Sequence, residues 1–192
     1  MMIQSGEEKE IRIDSKAEQE EIEIEEQGNA HIFIGDNPKL TLSILLSGRD
    51  ASVVVIGRFP GAQNARQEIT LRVVMQAPEA KCRVDMRAAL AGSSASFFDG
   101  LIRVEEGAKN ATGFLSYRAL LLSSGARAKP IPRLEVLTKE VASLGHAASV
   151  GKIDEDQLFY LQSRGISRPT AEKLIVEGFL SEDQYGIIKR TV

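Results

Sequence analysis

Residues 80–128 read AKCRVDMRAALAGSSASFFDGLIRVEEGAKNATGFLSYRALLLSSGARA. Apolar residues in this stretch form three runs, at 84–90, 97–104 and 114–122, which alternate with polar residues or continue without a break. Both patterns are typical of β-strands, and neither has the 3.6-residue period of a helix. The breaks beside the runs are short and polar and end in alanine, at Ala95, Ala111 and Ala128. The stretch therefore predicts successive strands that turn sharply at small residues.

The same pattern extends in both directions over residues 10–150. Further apolar runs lie at residues 11–13, 22–24, 32–34, 40–46, 53–56, 69–75 and 134–137. Alanine also ends the breaks at Ala30, Ala51, Ala80 and Ala147, at irregular intervals. Such a repeat predicts a solenoid in which each coil buries its apolar positions against its neighbours. We therefore expect a mainly β protein, a parallel β-helix.

Two other β architectures agree less well with these runs. A sandwich also consists of many short strands. However, only 5% of the residues are aromatic, and Asp99-Gly100 is the sole tight hairpin dipeptide between the runs. A left-handed hexapeptide β-helix would show a strict six-residue period of aliphatic residues and glycine, which this sequence lacks. Both architectures remain alternatives at this point.

After residue 150 the pattern becomes that of short helices. Asp154 can cap a first helix, Gln157 can complete a capping box, and Gly165 can end the helix. A second helix is predicted with Ser167 as its cap, Pro169 in its first turn and Gly178 as its end. Ser181 with Gln184 is expected to open a third helix, which carries Tyr185 and Ile188. Helices this short are not stable alone. The three-helix region must therefore pack on the solenoid, on itself or on a partner.

Composition constrains the location and organisation of the chain. It has 192 residues with 24 basic and 27 acidic side chains, and residues 1–27 contain ten of the acidic but only three of the basic ones. The sequence begins MMIQSGEEKE, unlike a signal peptide, and no apolar stretch approaches the roughly 20 residues of a membrane span. We expect a cytoplasmic protein without membrane contact. Its predicted parts are an acidic N-terminal segment (1–27) that joins the solenoid, a β-helix core (10–150) and a helical region (151–192).

Few residues suggest chemistry. The sequence contains no nucleophile elbow, Walker A loop or zinc-protease helix motif, so an enzyme with its own active site is the least supported class. His31 lies in a predicted strand as a surface or lateral side chain. Cys82, the single cysteine, is expected to face the core because Ala80, Cys82 and Val84 share one face of a strand. His146 lies among small residues that leave it accessible, although a turn or interface histidine is the simpler interpretation.

Residues 161–174, LQSRGISRPTAEKL, resemble a helix-hairpin-helix, an element that presents backbone N–H groups to a DNA phosphate. Ser167 replaces the second glycine of that turn. Residues 154–192 contain seven acidic and five basic residues, whereas phosphate contact requires positive charge. Nucleic-acid binding is therefore not expected.

A longer resemblance covers the same region. Residues 132–180 read PRLEVLTKEVASLGHAASVGKIDEDQLFYLQSRGISRPTAEKLIVEGFL, which closely resembles the C-terminal signature of the SufB/SufD family, the scaffold components of the SUF iron–sulfur cluster assembly system. The matching parts are Pro132-Arg133-Leu134-Glu135, His146-Ala147-Ala148, Gly151-Lys152-Ile153-Asp154, Leu158-Phe159-Tyr160-Leu161, Ser163-Arg164-Gly165-Ile166, Ala171, Leu174-Ile175 and Gly178-Phe179. The resemblance is specific over residues 120–180 and diffuse before them.

This resemblance implies a parallel β-helix followed by a small helical domain. It also implies a non-catalytic scaffold that pairs through its β-helix with a second SufB/SufD-like subunit or with a copy of itself, and that docks an ABC-type ATPase through its helices. The implied ATPase anchors are Phe159, Tyr160, Arg164 and Phe179, although Phe159 and Phe179 suit the helical core equally well. Because relatives carry an additional N-terminal region, the chain is expected to be a short, core-only form.

Two departures from the SufB pattern indicate the SufD branch. The position of the SufB cysteine falls near Tyr117, and the glutamate position is Ala147, while His146 is kept. The resemblance then implies that His146 contributes to an iron–sulfur cluster site shared across an interface, with no cofactor bound by the chain alone. An alternative function is a structural β-solenoid that self-associates, and a less favoured one is DNA binding.

Overall fold

The computed structural model describes residues 1–13, 16–36 and 39–181. Within these residues there are twelve strands and two helices: β1 (Met2–Ile3), β2 (Glu8–Ile13), β3 (Gln19–Ile24), β4 (Asn29–Ile34), β5 (Lys39–Leu46), β6 (Ser52–Gly61), β7 (Arg66–Met75), β8 (Lys81–Leu90), β9 (Ala95–Val104), β10 (Ala111–Leu121), β11 (Arg127–Val136), β12 (Val141–Lys152), α1 (Glu155–Ser163) and α2 (Arg168–Leu180). The predicted third helix, which Ser181 was expected to open, falls on residues 182–192, outside the described residues.

The strands alternate between two sheets. The odd-numbered strands form one six-stranded sheet and the even-numbered strands form the other, each in sequence order. Every strand pair is parallel. Each circuit of the chain therefore adds one strand to each sheet, which confirms the predicted parallel β-helix. The sandwich alternative is wrong, because all the strand pairs are parallel, whereas a sandwich is built from two antiparallel sheets.

One corner of the solenoid is built from residues in the left-handed backbone conformation. Gln27, Asp50, Glu79 and Asn110 have φ between 55° and 64°. Each of their N–H groups donates to a carbonyl of the following coil over 2.7–3.0 Å. Fully buried alanines, at Ala51, Ala80 and Ala111, follow the last three of these residues. Alanine is required there because neighbouring coils crowd the corner, as the sequence breaks predicted.

The last coil departs from the sequence prediction. Residues 145–147 were expected to form a break, but they lie inside strand β12. This strand carries no run of large apolar residues, and residues 145–152 are largely exposed at the edge of the sheet. An exposed edge strand needs little apolar burial on either face, so its sequence lacks the pattern that marks the other strands.

The core lies between the two sheets and consists mainly of Ile, Leu and Val side chains. Larger side chains enter near the carboxy-terminal coils, where the rings of Phe98 and Tyr117 stack with centroids 5.3 Å apart. Cys82 lies in the same core, as predicted. Full burial of one such aliphatic side chain contributes about 1.5–3 kcal/mol to stability.

The two helices form a hairpin after β12. The Asp154 carboxylate accepts from the Asp156 N–H at 2.9 Å, which confirms the predicted cap, and Gly165 adopts φ +85° after α1. The predicted end of α2 at Gly178 is wrong, because the helix continues to Leu180. A glycine ends a helix when it takes positive φ, but here the final carbonyls of α2 instead accept from arginine side chains of the solenoid.

Candidate functional site

Strands β11 and β12 end their respective sheets, and we call the surface that they form the open end. Among the described residues, each has a partner strand on one side only, β9 for β11 and β10 for β12. Leu134 of β11 and Leu144 of β12 are only partly buried against the core. The open end therefore presents strand edges together with the last layer of the apolar interior, both of which favour association with another chain.

His146 lies in the middle of this open end. It is paired with Leu115 of β10, which is fully buried in the core. Neighbours in register in a parallel sheet point to the same face, so His146 belongs to the inward-facing row of its sheet. Because no described strand follows β12 in the sheet, the residue is exposed. The imidazole is thus presented at the mouth of the solenoid interior.

Ala147 and Tyr117 occupy different faces of the even-numbered sheet. Ala147 is paired with Ser116 and lies on the outer face, opposite to His146. Tyr117 points inward and is 1% exposed. Its hydroxyl donates to Ser96 Oγ at 2.8 Å, and Ser96 donates to Gln67 Oε1 at 3.2 Å. Burial raises the pKa of Tyr117 although the Ser96 hydrogen bond opposes the shift. Tyr117 is therefore a hydrogen-bonded core residue.

Neither Cys82 nor His31 lies at the open end. Cys82 is buried on β8, and burial raises its thiol pKa to about 12, so the thiol is protonated at neutral pH. His31 is buried on β4 with Nε2 4.0 Å from Glu8 Oε1. In the part of the chain that the structure describes, His, Cys, Asp and Glu side chains form no group of three that could hold a metal ion.

The helical hairpin presents aromatic side chains to solvent. Phe159 is 73% exposed and Tyr160 is 58% exposed, so neither is a core residue of the hairpin. The Arg164 guanidinium lies 5.3 Å from the centroid of the Tyr160 ring. Beside Tyr160, an open hollow of about 430 Å³ is lined by Asp156, Gln157, Leu161 and Ile175. Three of the four predicted anchors are therefore exposed on α1 or just after it.

Phe179 lies apart from these three, in the last turn of α2. It is partly buried where this helix packs on β6 and β8. Its main-chain carbonyl accepts from Arg87 Nη1 at 2.8 Å. The structure therefore places Phe179 at the junction of the hairpin with the solenoid.

Sequence reasoning missed a charged cluster beneath α2. Asp85 of β8 lies 2.8 Å from Arg58 Nη2, 2.9 Å from Arg87 Nη2 and 3.4 Å from Arg118 Nη2. Alternation along β8 places Asp85 and Arg87 on the outer face, where charged residues are normally solvated. Both residues are nevertheless buried, because α2 lies over them. The strand pattern in the sequence does not reveal the position of that helix.

A family profile described as "SUF system FeS cluster assembly, SufBD core domain" matches residues 8–179. The chain belongs to this SufBD core family. The match includes nearly all of the solenoid, the open end and both helices up to Phe179. The open-end residues, the exposed hairpin residues and the charged cluster all lie within the matched range.

Named relatives agree with this SufBD core assignment. An iron–sulfur cluster assembly SufBD family protein of Mycobacterium tuberculosis is 34% identical over 157 residues, covering 77% of this chain and 39% of that protein. The corresponding protein of Mycobacterium leprae is 31% identical over 155 residues, covering 77% and 40%. The iron–sulfur cluster assembly protein SufD of Bacillus subtilis is 34% identical over 132 residues, covering 69% and 29%, which supports a SufD-like assignment. The chain thus spans about two fifths or less of the length of these relatives. Within the described residues, neither helix has the length and apolar character needed to cross a membrane.

Proposed function

We propose that the chain is an accessory, non-catalytic scaffold of SUF iron–sulfur cluster assembly in the cytoplasm. It pairs with a second SufB/SufD-like subunit or another copy of itself, and it binds an ABC-type ATPase. One observation carries this proposal. The region that matches the SufBD core family contains both the open end of the solenoid and a helical hairpin with exposed aromatic side chains.

Pairing is assigned to the open end because its strands have unused hydrogen-bonding edges. Backbone N–H and C=O groups on the free sides of β11 and β12 gain partners when another strand edge lies beside them. Leu134 and Leu144 would lose their remaining contact with water in the same step. If the partner is a second copy, the interface uses the same surface twice. Two His146 side chains would then meet at one interface.

His146 is the chain's proposed contribution to cluster assembly. A neutral imidazole nitrogen is a ligand for iron, but one histidine supplies one ligand. The remaining ligands for an iron–sulfur cluster would therefore come from the paired subunit. The cluster is cargo in this proposal, held at the interface rather than as a resident cofactor of one chain.

ATPase docking is assigned to the hairpin through Phe159, Tyr160 and Arg164. Aromatic and arginine side chains are enriched among the residues that contribute most to protein interfaces. The hollow beside Tyr160 can accept an apolar side chain of the partner. Phe179 supports this surface indirectly, because it lies where α2 meets the solenoid.

Docking is tested with Phe159→Ala combined with Tyr160→Ala. Because both rings are largely exposed, the variant should fold normally, whereas affinity for the ATPase should fall by about tenfold or more. Phe114→Ala, which removes an exposed ring from β10, is the matched control and should bind as the wild type does. Truncation after Ile153 should abolish binding. An ATPase that still binds the truncated chain would show that the hairpin is not the docking surface.

The role of His146 is tested by His146→Ala in a cluster-assembly assay with the partner subunit present. Assembly should fall severalfold, while Ser149→Ala, an exposed change on the opposite face of β12, should leave it unchanged. Undiminished assembly by His146→Ala would remove this residue from the mechanism.

The alternative of a self-associating structural solenoid is supported by the sheet ends, where β1, β2, β11 and β12 each have one partner strand within residues 1–13, 16–36 and 39–181. Light scattering separates the two proposals, since a SUF scaffold gives a defined dimer and a head-to-tail solenoid gives growing polymers. DNA binding is less favoured, because Arg168 beside the hairpin turn pairs with Glu155 and Glu172, each at 2.9 Å.

A further inference from the structure

Three arginines lie side by side on the outer face of the even-numbered sheet. Arg58 of β6 is in register with Arg87 of β8, which is in register with Arg118 of β10. Neighbouring strands are about 4.8 Å apart, and like charges directly opposite each other are destabilising. The row therefore needs negative charge nearby, and the structure supplies it from two sources.

The first source is Asp85, two residues before Arg87 on the same face of β8. Its carboxylate contacts all three arginines and accepts a hydrogen bond from Ser116 Oγ at 3.1 Å. Asp85 is only 4% exposed. Charge-assisted hydrogen bonds in such a position are strong and directional. The carboxylate thereby fixes the guanidinium groups of Arg58 and Arg87.

The second source is the carboxy-terminal end of α2. Arg58 Nε donates to the Leu180 carbonyl at 3.0 Å, and Arg87 Nη1 donates to the Phe179 carbonyl at 2.8 Å. The last carbonyls of a helix lack intrahelical partners and carry the negative end of its dipole. Two fixed arginines thus hold the end of α2 on the sheet, and α1 packs on α2.

The same cluster reaches the strand beside the open end. Ser116 and Arg118, both bonded to Asp85, belong to β10, whose other neighbour is β12. Ser116 is paired with Ala147, the residue after His146. A continuous set of contacts therefore runs from α2 through Arg87 and Asp85 to the strand that carries His146.

We propose that Asp85 is a positioning residue that fixes the helical hairpin to the solenoid and couples its movement to the open end. This inference rests on the proposed function, since it concerns how an ATPase bound to the hairpin acts on the pairing surface. Asp85 itself touches neither partner.

The positioning role is tested in the full chain by a distance between two spin labels. Gln162→Cys on α1 and Asn64→Cys before β7 place the labels at exposed sites, and the buried native Cys82 does not compete for the reagent. The parent should give one narrow distance distribution. Adding Asp85→Asn should at least double its width, whereas the matched Asp99→Asn, which breaks an ion pair with Arg133 on the other sheet, should leave it narrow. Unchanged width in Asp85→Asn overturns the proposal.

Arg58→Gln is the second variant, for use if Asp85→Asn folds poorly. Arg58 is less buried than Asp85, with its side chain 11% exposed, and the change removes one bond to α2. It should broaden the distance distribution by a smaller amount. A distribution as narrow as that of the parent would count against the proposal.

Coupling is tested in the complex with the ATPase by hydrogen exchange of residues 145–150. An ATP analogue should change exchange there in the wild-type complex but not in Asp85→Asn, although the ATPase stays bound. A full response in Asp85→Asn refutes the coupling. Failure of the wild-type chain to bind any ATPase refutes instead the proposed function.

Discussion

The hydrogen-bond chain Tyr117–Ser96–Gln67 gives a quantitative test of whether Tyr117, at the position expected for the SufB cysteine, has a structural role. The Tyr117 hydroxyl donates to Ser96 Oγ at 2.8 Å, and Ser96 donates to Gln67 Oε1 at 3.2 Å. All three residues are at most 3% exposed. Loss of one partner therefore leaves a buried polar group without its hydrogen bond, which is costly.

Two single substitutions should have unequal effects. Tyr117→Phe removes one donor and keeps the ring stacked on Phe98, so it should lower the free energy of unfolding by about 1 kcal/mol. Ser96→Ala removes both hydrogen bonds and leaves the Tyr117 hydroxyl and the Gln67 side-chain carbonyl buried without partners. This should lower the free energy of unfolding by about 2–4 kcal/mol. The double variant should cost about 1–2 kcal/mol, less than Ser96→Ala alone, because Tyr117 then has no hydroxyl that could be left unpaired.

Urea unfolding followed by far-ultraviolet circular dichroism measures these differences, with the m-value expected to be constant across the series. In a domain of this size, 1 kcal/mol corresponds to about 2–4 °C in Tm. A loss in Tyr117→Phe equal to or larger than that in Ser96→Ala would refute the reasoning. It would mean that the hydroxyl of Tyr117 does more than support Ser96.

Three further predictions follow from local geometry. Burial opposes ionisation of Asp85, but the adjacent guanidinium groups hold its pKa below the ordinary value; its stabilisation is therefore present above pH about 3.9 and lost as pH falls through the folded pKa. The protection factors of the α2 amides, which correct for the pH dependence of intrinsic exchange, should fall at acidic pH in the wild type but hardly change with pH in Asp85→Asn. Gly48→Ala should destabilise by several kcal/mol, because its Cβ would collide with the Glu26 backbone, while Gly151→Ala, with open space around it, should be nearly neutral in thermal unfolding. Cys82 should resist iodoacetamide at pH 8 until the chain is unfolded, since its thiol pKa is about 12.

The strand pattern was predictable wherever both neighbours of a strand are present. Ala51, Ala80 and Ala111 mark the crowded corner in the sequence because each must be small. The left-handed conformations of Gln27 and Glu79 were not predictable, since these residues take positive φ only because the next coil supplies a carbonyl to their N–H groups. Strand β12 was missed for a related reason: one of its edges is open, so its sequence is not constrained to large apolar residues.

Some features of the functional residues were also predictable from the sequence, and others were not. Accessibility of His146 and exposure of Tyr160 could be anticipated, because each depends on its local sequence. The burial of Asp85 and Arg87 could not, because it depends on where a helix more than 80 residues later lies on the sheet. The misplaced end of α2 has the same origin, since Gly178 is a plausible stop until the arginines that hold Phe179 and Leu180 are known.

The position of the hairpin determines where any movement of it must be absorbed. It is attached to one sheet at two places: α1 follows β12 through residues 153 and 154, and the end of α2 is held on β6 and β8. Strands β6 and β8 are paired on both sides, whereas β12 has β10 as its single partner in the described part of the chain. A strand with one partner is the more easily displaced of the two attachments. If the proposed ATPase docking is correct, a force applied to α1 and α2 should therefore move β12 before it moves β8, and His146 lies on β12. Stronger hydrogen bonds and ion pairs between Asp85 and the arginines should transmit more of that movement to the open end.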